Sequence, residues 1–284
     1  MTTDTLVSAD WLKEHLNDEN LVVVDATLHL PDTGRNAREE YTAQHIPNAL
    51  FFDLDDIADR NNPRPRKIPP YTLFAEKVGE LGITERKLVV VYDTRGLYSA
   101  ARVWWLFRQY GHDEVKILDG GLPAWLAING PVENGTVHAT PATFSTGVKR
   151  NHLALWNDVL HASQSGGQIL DARPFERWAG TQVDRYPGTR QGHIPNSLNL
   201  CWSDLLENDT HRLLQSKELK EKFEEAGLDL KAPVIASCGS GVTACILALG
   251  LNNIGHNDWK VYDGSWDEWG RNFDLPIATL EETQ

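Results

Sequence analysis

Short apolar runs rich in valine and isoleucine alternate along this chain with longer stretches in which apolar residues recur every three or four positions. The first pattern predicts strands and the second predicts amphipathic helices. In the first half, strands are predicted at Leu21–Asp25, Leu88–Tyr92 and Lys116–Leu118, and helices at Asp10–Leu16 and Ser99–Tyr110. Near-continuous apolar strands between helices predict an α/β fold with a mainly parallel sheet covered by helices on both faces.

The second half repeats this order, with strands predicted at Gln168–Asp171, Val234–Ser237 and Lys260–Tyr262 and a helix from about Val242 to Asn253. Four pairs of segments match in the same order. They are NLVVVDAT and GQILDAR, AQHIPNAL and RQGHIPNSL, KLVVVYDTRG and APVIASCGSG, and VKILDGGLPAW and WKVYDGSWDEW. Four matches in one order indicate an internal duplication.

The duplication predicts two homologous domains, at residues 1–130 and 151–284. Between them, residues 131–150 are rich in proline, threonine and glycine, which is typical of a linker. Each domain is expected to have its own parallel sheet, and a ligand is expected beyond the carboxyl ends of the strands.

Composition and charge narrow the classes of partner. The 284 residues carry 27 basic and 40 acidic side chains, a net charge of −13, which disfavours nucleic acid and anionic lipid as partners. No apolar run approaches the length of a membrane span, and the N-terminus lacks the pattern of a signal peptide. Three cysteines without a CxxC spacing predict no disulfide framework, no metal and a reducing, cytoplasmic setting.

Cys238 is the candidate nucleophile, because it directly follows a predicted buried strand and precedes a glycine-rich turn, Gly239–Thr243. Glycines at positions 239 and 241 let the backbone curl so that successive N–H groups point at one sulfur atom. Together with the positive end of the following helix, such a turn stabilises a thiolate. The alternative is a buried thiol that only fills space.

The duplication helps to choose between these alternatives. Aligning Gly96 with Gly241 places Asp93 opposite Cys238, so the first copy keeps the strand and the turn but not the thiol. An aspartate is a poor counterpart for a packing residue. The sequence therefore favours one active copy and one inactive copy.

Several motifs carry a family resemblance over nearly the whole chain. HIPN occurs in both halves, CGSGVTA only in the second, and YDTRGLYSAARVWWLFR, DARPFERW and YDGSWDEWG add to them. With these motifs the chain resembles the two-domain rhodanese-type sulfurtransferases. Its CGSGVT loop is similar to that of members that use 3-mercaptopyruvate, whereas members that prefer thiosulfate carry Arg-Lys after the cysteine.

The resemblance implies two tandem rhodanese-like domains and a specific reaction. Cys238 would take the sulfur of 3-mercaptopyruvate as a persulfide, release pyruvate, and pass the sulfur to a thiol, thioredoxin or cyanide. No cofactor is implied, because the cysteine itself carries the sulfur. Val242 and Thr243 would complete the active-site loop. Thiosulfate:cyanide sulfur transfer is the alternative activity.

The resemblance also implies a substrate-binding arginine at Arg177, whose planar guanidinium suits a carboxylate. The family's second arginine, nine residues later, is replaced here by Tyr186, with Arg185 beside it. Arg185 or Arg190 could supply the second carboxylate contact, and the sequence leaves this open.

Ser240 and His45 are implied as a pair that polarises the keto oxygen or moves a proton, since histidine titrates near neutral pH. The alternative for His45 is a fold-stabilising histidine, which its twin His193 supports. Family members in which a third, acidic residue is proposed have it where this chain has Asn36, so no acid is assigned.

The sequence of the second domain disfavours two other functions. A cysteine-dependent phosphatase or arsenate reductase needs an arginine six residues after the cysteine, and this chain has Ala244 there. A non-catalytic sulfur-binding protein would not need both the nucleophile and Arg177. The sequence therefore favours the sulfurtransferase.

Overall fold

The computed structural model describes residues 5–147 and 149–280 and divides the chain into two units. The first contains the chain up to Arg150 together with Asn208–Leu213, and the second contains Asn151–Glu207 and the chain from Leu214 onward. The Leu213 N–H donates to the Asp119 carboxylate (2.9 Å), which helps to hold the segment Asn208–Leu213 on the first unit. No pattern in the sequence predicts that this segment belongs to the first unit.

The first unit has one sheet of five parallel strands in the order β1-β5-β4-β2-β3. Its strands are β1 (Leu6–Val7), β2 (Leu21–Asp25), β3 (Leu50–Phe51), β4 (Leu88–Tyr92) and β5 (Val115–Leu118). Its helices are α1 (Ala9–His15), α2 (Ala37–Ala43), α3 (Tyr71–Glu80), α4 (Ala100–Gln109) and α5 (Gly121–Ala127), with a 3₁₀ turn at Pro31–Thr33.

The second unit has the same architecture, with parallel strands in the order β6-β10-β9-β7-β8. Its strands are β6 (Leu153–Ala154), β7 (Gln168–Asp171), β8 (Leu198–Asn199), β9 (Val234–Ser237) and β10 (Trp259–Tyr262). Its helices are α6 (Trp156–Ser165), α7 (Phe175–Ala179), α8 (Ser216–Glu225), α9 (Ala244–Asn253) and α10 (Ser265–Trp269), with a 3₁₀ turn at Trp202–Leu205.

The predicted parallel sheets with helices on both faces are confirmed. In the first unit, Val90 and Tyr92 pack with Trp125 of α5 in one apolar cluster. Val89 and Val91 are equally buried but alternate with them along β4, so they point to the opposite face. Among the described residues, no helix is both long and apolar enough to cross a membrane.

A buried aspartate ends the second strand of each sheet. In the second unit, the Asp171 carboxylate pairs with the buried guanidinium of Arg173 (2.8 Å). The first unit has Thr27 at the matching position, and its backbone N–H donates to Asp25 (2.8 Å). Threonine supplies no charge there, and burial raises the pKa of Asp25 from 3.8 to about 6.

Replacing Asp25 by asparagine is expected to stabilise the protein at neutral pH, because asparagine keeps the acceptor for Thr27 and removes a buried charge. The folded-state pKa lies above the unfolded value, so the carboxyl favours folding while it is protonated. That contribution is present below about pH 4 and is lost as the pH rises through about 6. The gain in unfolding free energy, at most about 3 kcal/mol, should be absent at low pH and complete at neutral pH in urea titrations.

Asp171→Asn is the matched control in the second unit. It removes the carboxylate that pairs with buried Arg173, so it should destabilise the protein at neutral pH. An Asp25→Asn protein that is less stable than the parent at neutral pH would contradict this account.

Candidate active site

Cys238 is the first residue after β9, which lies in the middle of the second unit's sheet between β10 and β7. Parallel neighbours end at the same edge, so the loops after these three strands surround the thiol. Cys238 is almost fully buried. The predicted placement of the thiol at the carboxyl edge of the sheet is confirmed.

The loop after Cys238 turns an amide toward its sulfur atom. The Gly241 N–H donates to Sγ at 3.0 Å. Gly241 has a φ of +85°, a conformation that favours glycine, and an added Cβ would lie 2.6 Å from the backbone oxygen of Asp263. Glycine at this position is therefore required both by conformation and by space.

Helix α10 holds the same loop from its other side. The Trp266 N–H donates to the Cys238 carbonyl (2.9 Å), and the Asp267 N–H donates to the Gly239 carbonyl (2.8 Å). In a trans peptide the N–H points opposite to the C=O. The N–H groups of Gly239 and Ser240 are therefore directed away from α10. Turning these N–H groups toward α10 would break the two hydrogen bonds.

The matching loop of the first unit surrounds the carboxylate of its own first residue. Asp93 occupies the position of Cys238, and its carboxylate accepts the N–H groups of Arg95 (2.9 Å), Tyr98 (2.7 Å) and Ala100 (2.9 Å). The Leu122 N–H donates to the Asp93 carbonyl (3.0 Å), as Trp266 does for Cys238. The same backbone turn thus surrounds a negatively charged side chain in this unit.

The loop residues named from the sequence lie together in one turn, with Ser240 and Val242 buried. Helix α9 begins at Ala244 rather than near Val242, so the predicted start is wrong by two residues. The left-handed φ of Gly241 is incompatible with a helix, and helical geometry starts only beyond it.

Arg177 lies on α7, which follows β7 at the same edge of the sheet as Cys238. Its guanidinium Nε is buried, and within the described chain it has no hydrogen-bond partner. This nitrogen is therefore available to donate to an acceptor that the chain itself does not provide.

The other two arginines differ in what they contact. Arg190 donates to the carbonyls of Trp269 (3.2 Å), Gly270 (3.1 Å) and Asn272 (2.6 Å), so its guanidinium fixes the segment after α10. Arg185 is exposed. Of the two alternatives that the sequence left open for a second carboxylate contact, Arg190 is therefore already engaged.

Tyr186 packs directly on the active-site loop. A Cβ added to Gly239 would lie 2.5 Å from a ring carbon of Tyr186 and 3.1 Å from its hydroxyl oxygen. The Thr189 hydroxyl donates to the Tyr186 carbonyl (2.7 Å) and fixes this turn. Any side chain larger than glycine at position 239 would displace the ring.

His45 lies in the first unit and is fully buried there. Its ring stacks on Tyr41 (4.2 Å), its Nδ1 lies 2.7 Å from the Tyr41 carbonyl, and its Nε2 lies 3.3 Å from the Glu133 carboxylate. His193 repeats this pattern, stacking on Trp178 (4.1 Å) with Nδ1 2.8 Å from its carbonyl. Twin contacts favour the fold-stabilising alternative for His45, and its expected pairing with Ser240 stays a prediction.

Sequence reasoning missed a buried ion network beside the loop. Arg173 pairs with Asp171 (2.8 Å) and Asp184 (2.9 Å), and its guanidinium lies 4.4 Å from the ring centroid of Trp266. These contacts anchor the segment that carries Tyr186. The signal was present in the repeats, where the second copy reads DAR and the first reads DAT.

Comparison with known proteins gives two matches to the family model of the rhodanese-like domain, at residues 8–128 and 156–272. The 3-mercaptopyruvate sulfurtransferase of Mus musculus is 42% identical over 93% of this chain and 91% of the relative. Thiosulfate/3-mercaptopyruvate sulfurtransferase 1, mitochondrial, of Arabidopsis thaliana is 39% identical over 99% of this chain and 80% of the relative. The crystal structure of SseA, a 3-mercaptopyruvate sulfurtransferase from Escherichia coli, superimposes with a TM-score of 0.84 at 37% identity, covering 93% of this chain and 99% of that one.

Replacing Gly241 by alanine is expected to destabilise the second unit and to slow alkylation of Cys238 by iodoacetamide at least tenfold, about 1.4 kcal/mol in barrier height. The new Cβ would meet the Asp263 backbone and move the N–H away from the sulfur. Rates and urea midpoints would be compared with those of the parent, mapping the modified cysteine by peptide mass.

Gly255→Ala is the matched control. Gly255 has a φ of +82° but nothing within 4 Å of an added Cβ, so it reports the conformational penalty alone. Equal effects of the two substitutions on the alkylation of Cys238 would show that the Gly241 N–H does not stabilise the thiolate.

Proposed function

The chain belongs to the rhodanese family, and we propose that it transfers the sulfur of 3-mercaptopyruvate to an acceptor through a persulfide on Cys238. One observation carries the proposal. The second unit presents a cysteine sulfur to an inward-facing amide in a loop whose copy in the first unit holds a carboxylate. A loop built around a negative charge favours the thiolate, which is the nucleophilic form of cysteine.

The first half-reaction follows from that nucleophile. The Cys238 thiolate attacks the sulfur of 3-mercaptopyruvate, and an S–S bond forms as the C–S bond breaks. The bonding electrons leave with the carbon as the pyruvate enolate, which takes up a proton to give pyruvate. The Gly241 N–H, which donates to the Cys238 sulfur, stabilises the negative charge of the resulting persulfide.

In the second half-reaction the outer sulfur passes to an acceptor, and the Cys238 thiolate is regenerated. We propose a thiol acceptor, either a small thiol or reduced thioredoxin, with cyanide as a substitute in assays. Such acceptors require a compartment where thiols stay reduced, which is consistent with a cytoplasmic location. The net charge of −13 gives no support for nucleic acid as a partner.

Arg177 is proposed to bind the substrate carboxylate. Its orphaned Nε lies at the sheet edge that carries Cys238, and a carboxylate oxygen would satisfy it. Arg185 on the following segment is proposed for the second contact because its side chain is exposed, with Arg190 as the alternative. Ser240, buried within the loop, is proposed to donate a hydrogen bond near the keto group.

Tyr186 gives a physical reason for preferring 3-mercaptopyruvate over thiosulfate. Its ring fills the space beside Gly239, so a basic side chain cannot occupy the position after the nucleophile. No residue of the loop from Gly239 to Thr243 carries a charged side chain. A neutral loop suits a monoanion whose charge lies on a distant carboxylate better than a dianion whose charge lies beside the transferred sulfur.

Thiosulfate:cyanide transfer remains the second candidate, because relatives named for both substrates resemble the chain over its whole length. A phosphatase is not supported. Six residues after the nucleophile stands Ala244, buried at the start of α9, where phosphate binding would require an arginine.

The direct test compares kcat/KM for 3-mercaptopyruvate and thiosulfate with one acceptor, using Cys238→Ser as the blank. We expect at least a tenfold preference for 3-mercaptopyruvate, about 1.4 kcal/mol in transition-state binding, and no turnover by the variant. A preference for thiosulfate would mean that charges outside the loop set specificity. No turnover of either substrate above the blank would instead support the sulfur-binding module.

A second prediction separates the arginines. Arg177→Met should raise KM for 3-mercaptopyruvate roughly tenfold to hundredfold, the effect of losing a hydrogen bond to a charged group. Arg185→Met should raise KM for 3-mercaptopyruvate less, because the Arg185 side chain is exposed. Steady-state kinetics with both variants checks the order, and a larger effect at Arg185 would reverse the assignment.

A further inference from the structure

Ser265, the first residue of α10, has a backbone conformation that is unfavourable for serine. Its φ is +50°, in the left-handed region, and the residue is fully buried. The matching residue of the first unit is Gly121, with a φ of +54°. Glycine, which the first unit has at this position, adopts such a φ without a steric penalty. The second unit, which carries the nucleophile, has a serine there instead.

The two units also differ in the space at this position. A Cβ added to Gly121 would lie 2.3 Å from the Asp93 carbonyl oxygen, so no side chain fits in the first unit. In the second unit the serine side chain is accommodated against the Cys238 backbone. Its presence is therefore specific to the copy that carries the thiol.

The Ser265 hydroxyl contacts the nucleophile at two points. Its oxygen accepts the Cys238 N–H at 3.1 Å and lies 3.8 Å from Cys238 Sγ. It also lies 2.7 Å from the Tyr262 carbonyl, to which it can donate. A hydroxyl has a single proton, so it donates either to Tyr262 or to the sulfur, while a lone pair keeps the Cys238 amide in place.

We propose that Ser265 is a positioning residue for Cys238: it fixes the amide of the nucleophile and turns its single hydroxyl proton toward the sulfur when that sulfur is negatively charged. The proposal rests on the sulfurtransferase function and deepens it. Beside a neutral thiol, the Ser265 hydroxyl donates its hydrogen bond to the Tyr262 carbonyl. A thiolate or persulfide anion attracts it, because hydrogen bonds to charged acceptors are the stronger ones.

A merely structural role is the competing explanation, and it makes a different prediction. If Ser265 only filled space, glycine would be an equal or better residue, since it relieves the backbone strain and matches Gly121. If Ser265 acts on Cys238, glycine should improve or preserve stability while impairing the nucleophile. Stability and reactivity should then change in opposite directions.

The experiment uses Ser265→Gly and Ser265→Ala in the full chain. Alkylation of Cys238 by iodoacetamide is followed from acid to alkaline pH, mapping the Cys238 peptide by mass. Both variants should shift the pH of half-maximal alkylation upward by about one unit, a tenfold loss of thiolate at a given pH. Both should lower kcat for 3-mercaptopyruvate with little change in KM, because the side chain contacts the nucleophile and not the substrate.

Ser163→Ala is the matched control, since Ser163 is also a buried serine that donates to a carbonyl, that of Pro195 (2.7 Å), on α6. It should lose stability without changing the alkylation profile. Thermal unfolding should rank Ser265→Gly at least as stable as Ser265→Ala. An unchanged alkylation profile and a kcat within about twofold of the parent in both Ser265 variants would overturn the proposal. Alkylation needs no sulfur transfer, so this outcome is distinguishable from failure of the proposed function.

Discussion

The structure depends on one interaction: the turn after the central strand of each sheet directs backbone N–H groups at the side chain that begins the turn, Asp93 in one unit and Cys238 in the other. In the first unit the Asp93 carboxylate accepts three N–H groups. In the second unit the Gly241 N–H donates to the Cys238 sulfur. The fold thus provides an anion site twice and uses it once for chemistry.

The surrounding residues keep that turn from relaxing. Amides of α10 hold the carbonyls of Cys238 and Gly239, and the buried ion pairs of Arg173 fix the neighbouring loop. Two left-handed φ values flank the sulfur, at Gly241 (+85°) and Ser265 (+50°). A serine keeps such a φ only where the surrounding packing overdetermines it, and Ser265 contacts the proposed nucleophile.

The strands were predictable where their apolar runs were long, and β2, β4, β7 and β9 have the bounds that their patterns indicated. The two-residue edge strands were not, because so short a run has no readable period. Cys238 and its loop could be found from the repeat. Arg173 could have been found from the repeat, because the second copy reads DAR where the first reads DAT. Tyr186 and Ser265 could not be given roles from sequence, since their importance comes from contacts made by folding. The aligned glycine at position 121 became informative only through its φ.

The most direct test of the account is the mass of the protein after a brief incubation with 3-mercaptopyruvate in the absence of an acceptor. The account predicts one adduct of about 32 Da, a single sulfur atom, removed by cyanide and assigned to Cys238 rather than Cys245 by fragmentation of the peptide that contains both. The absence of an adduct, or its location on Cys201 or Cys245, would contradict the claim that this loop holds a sulfur anion on Cys238.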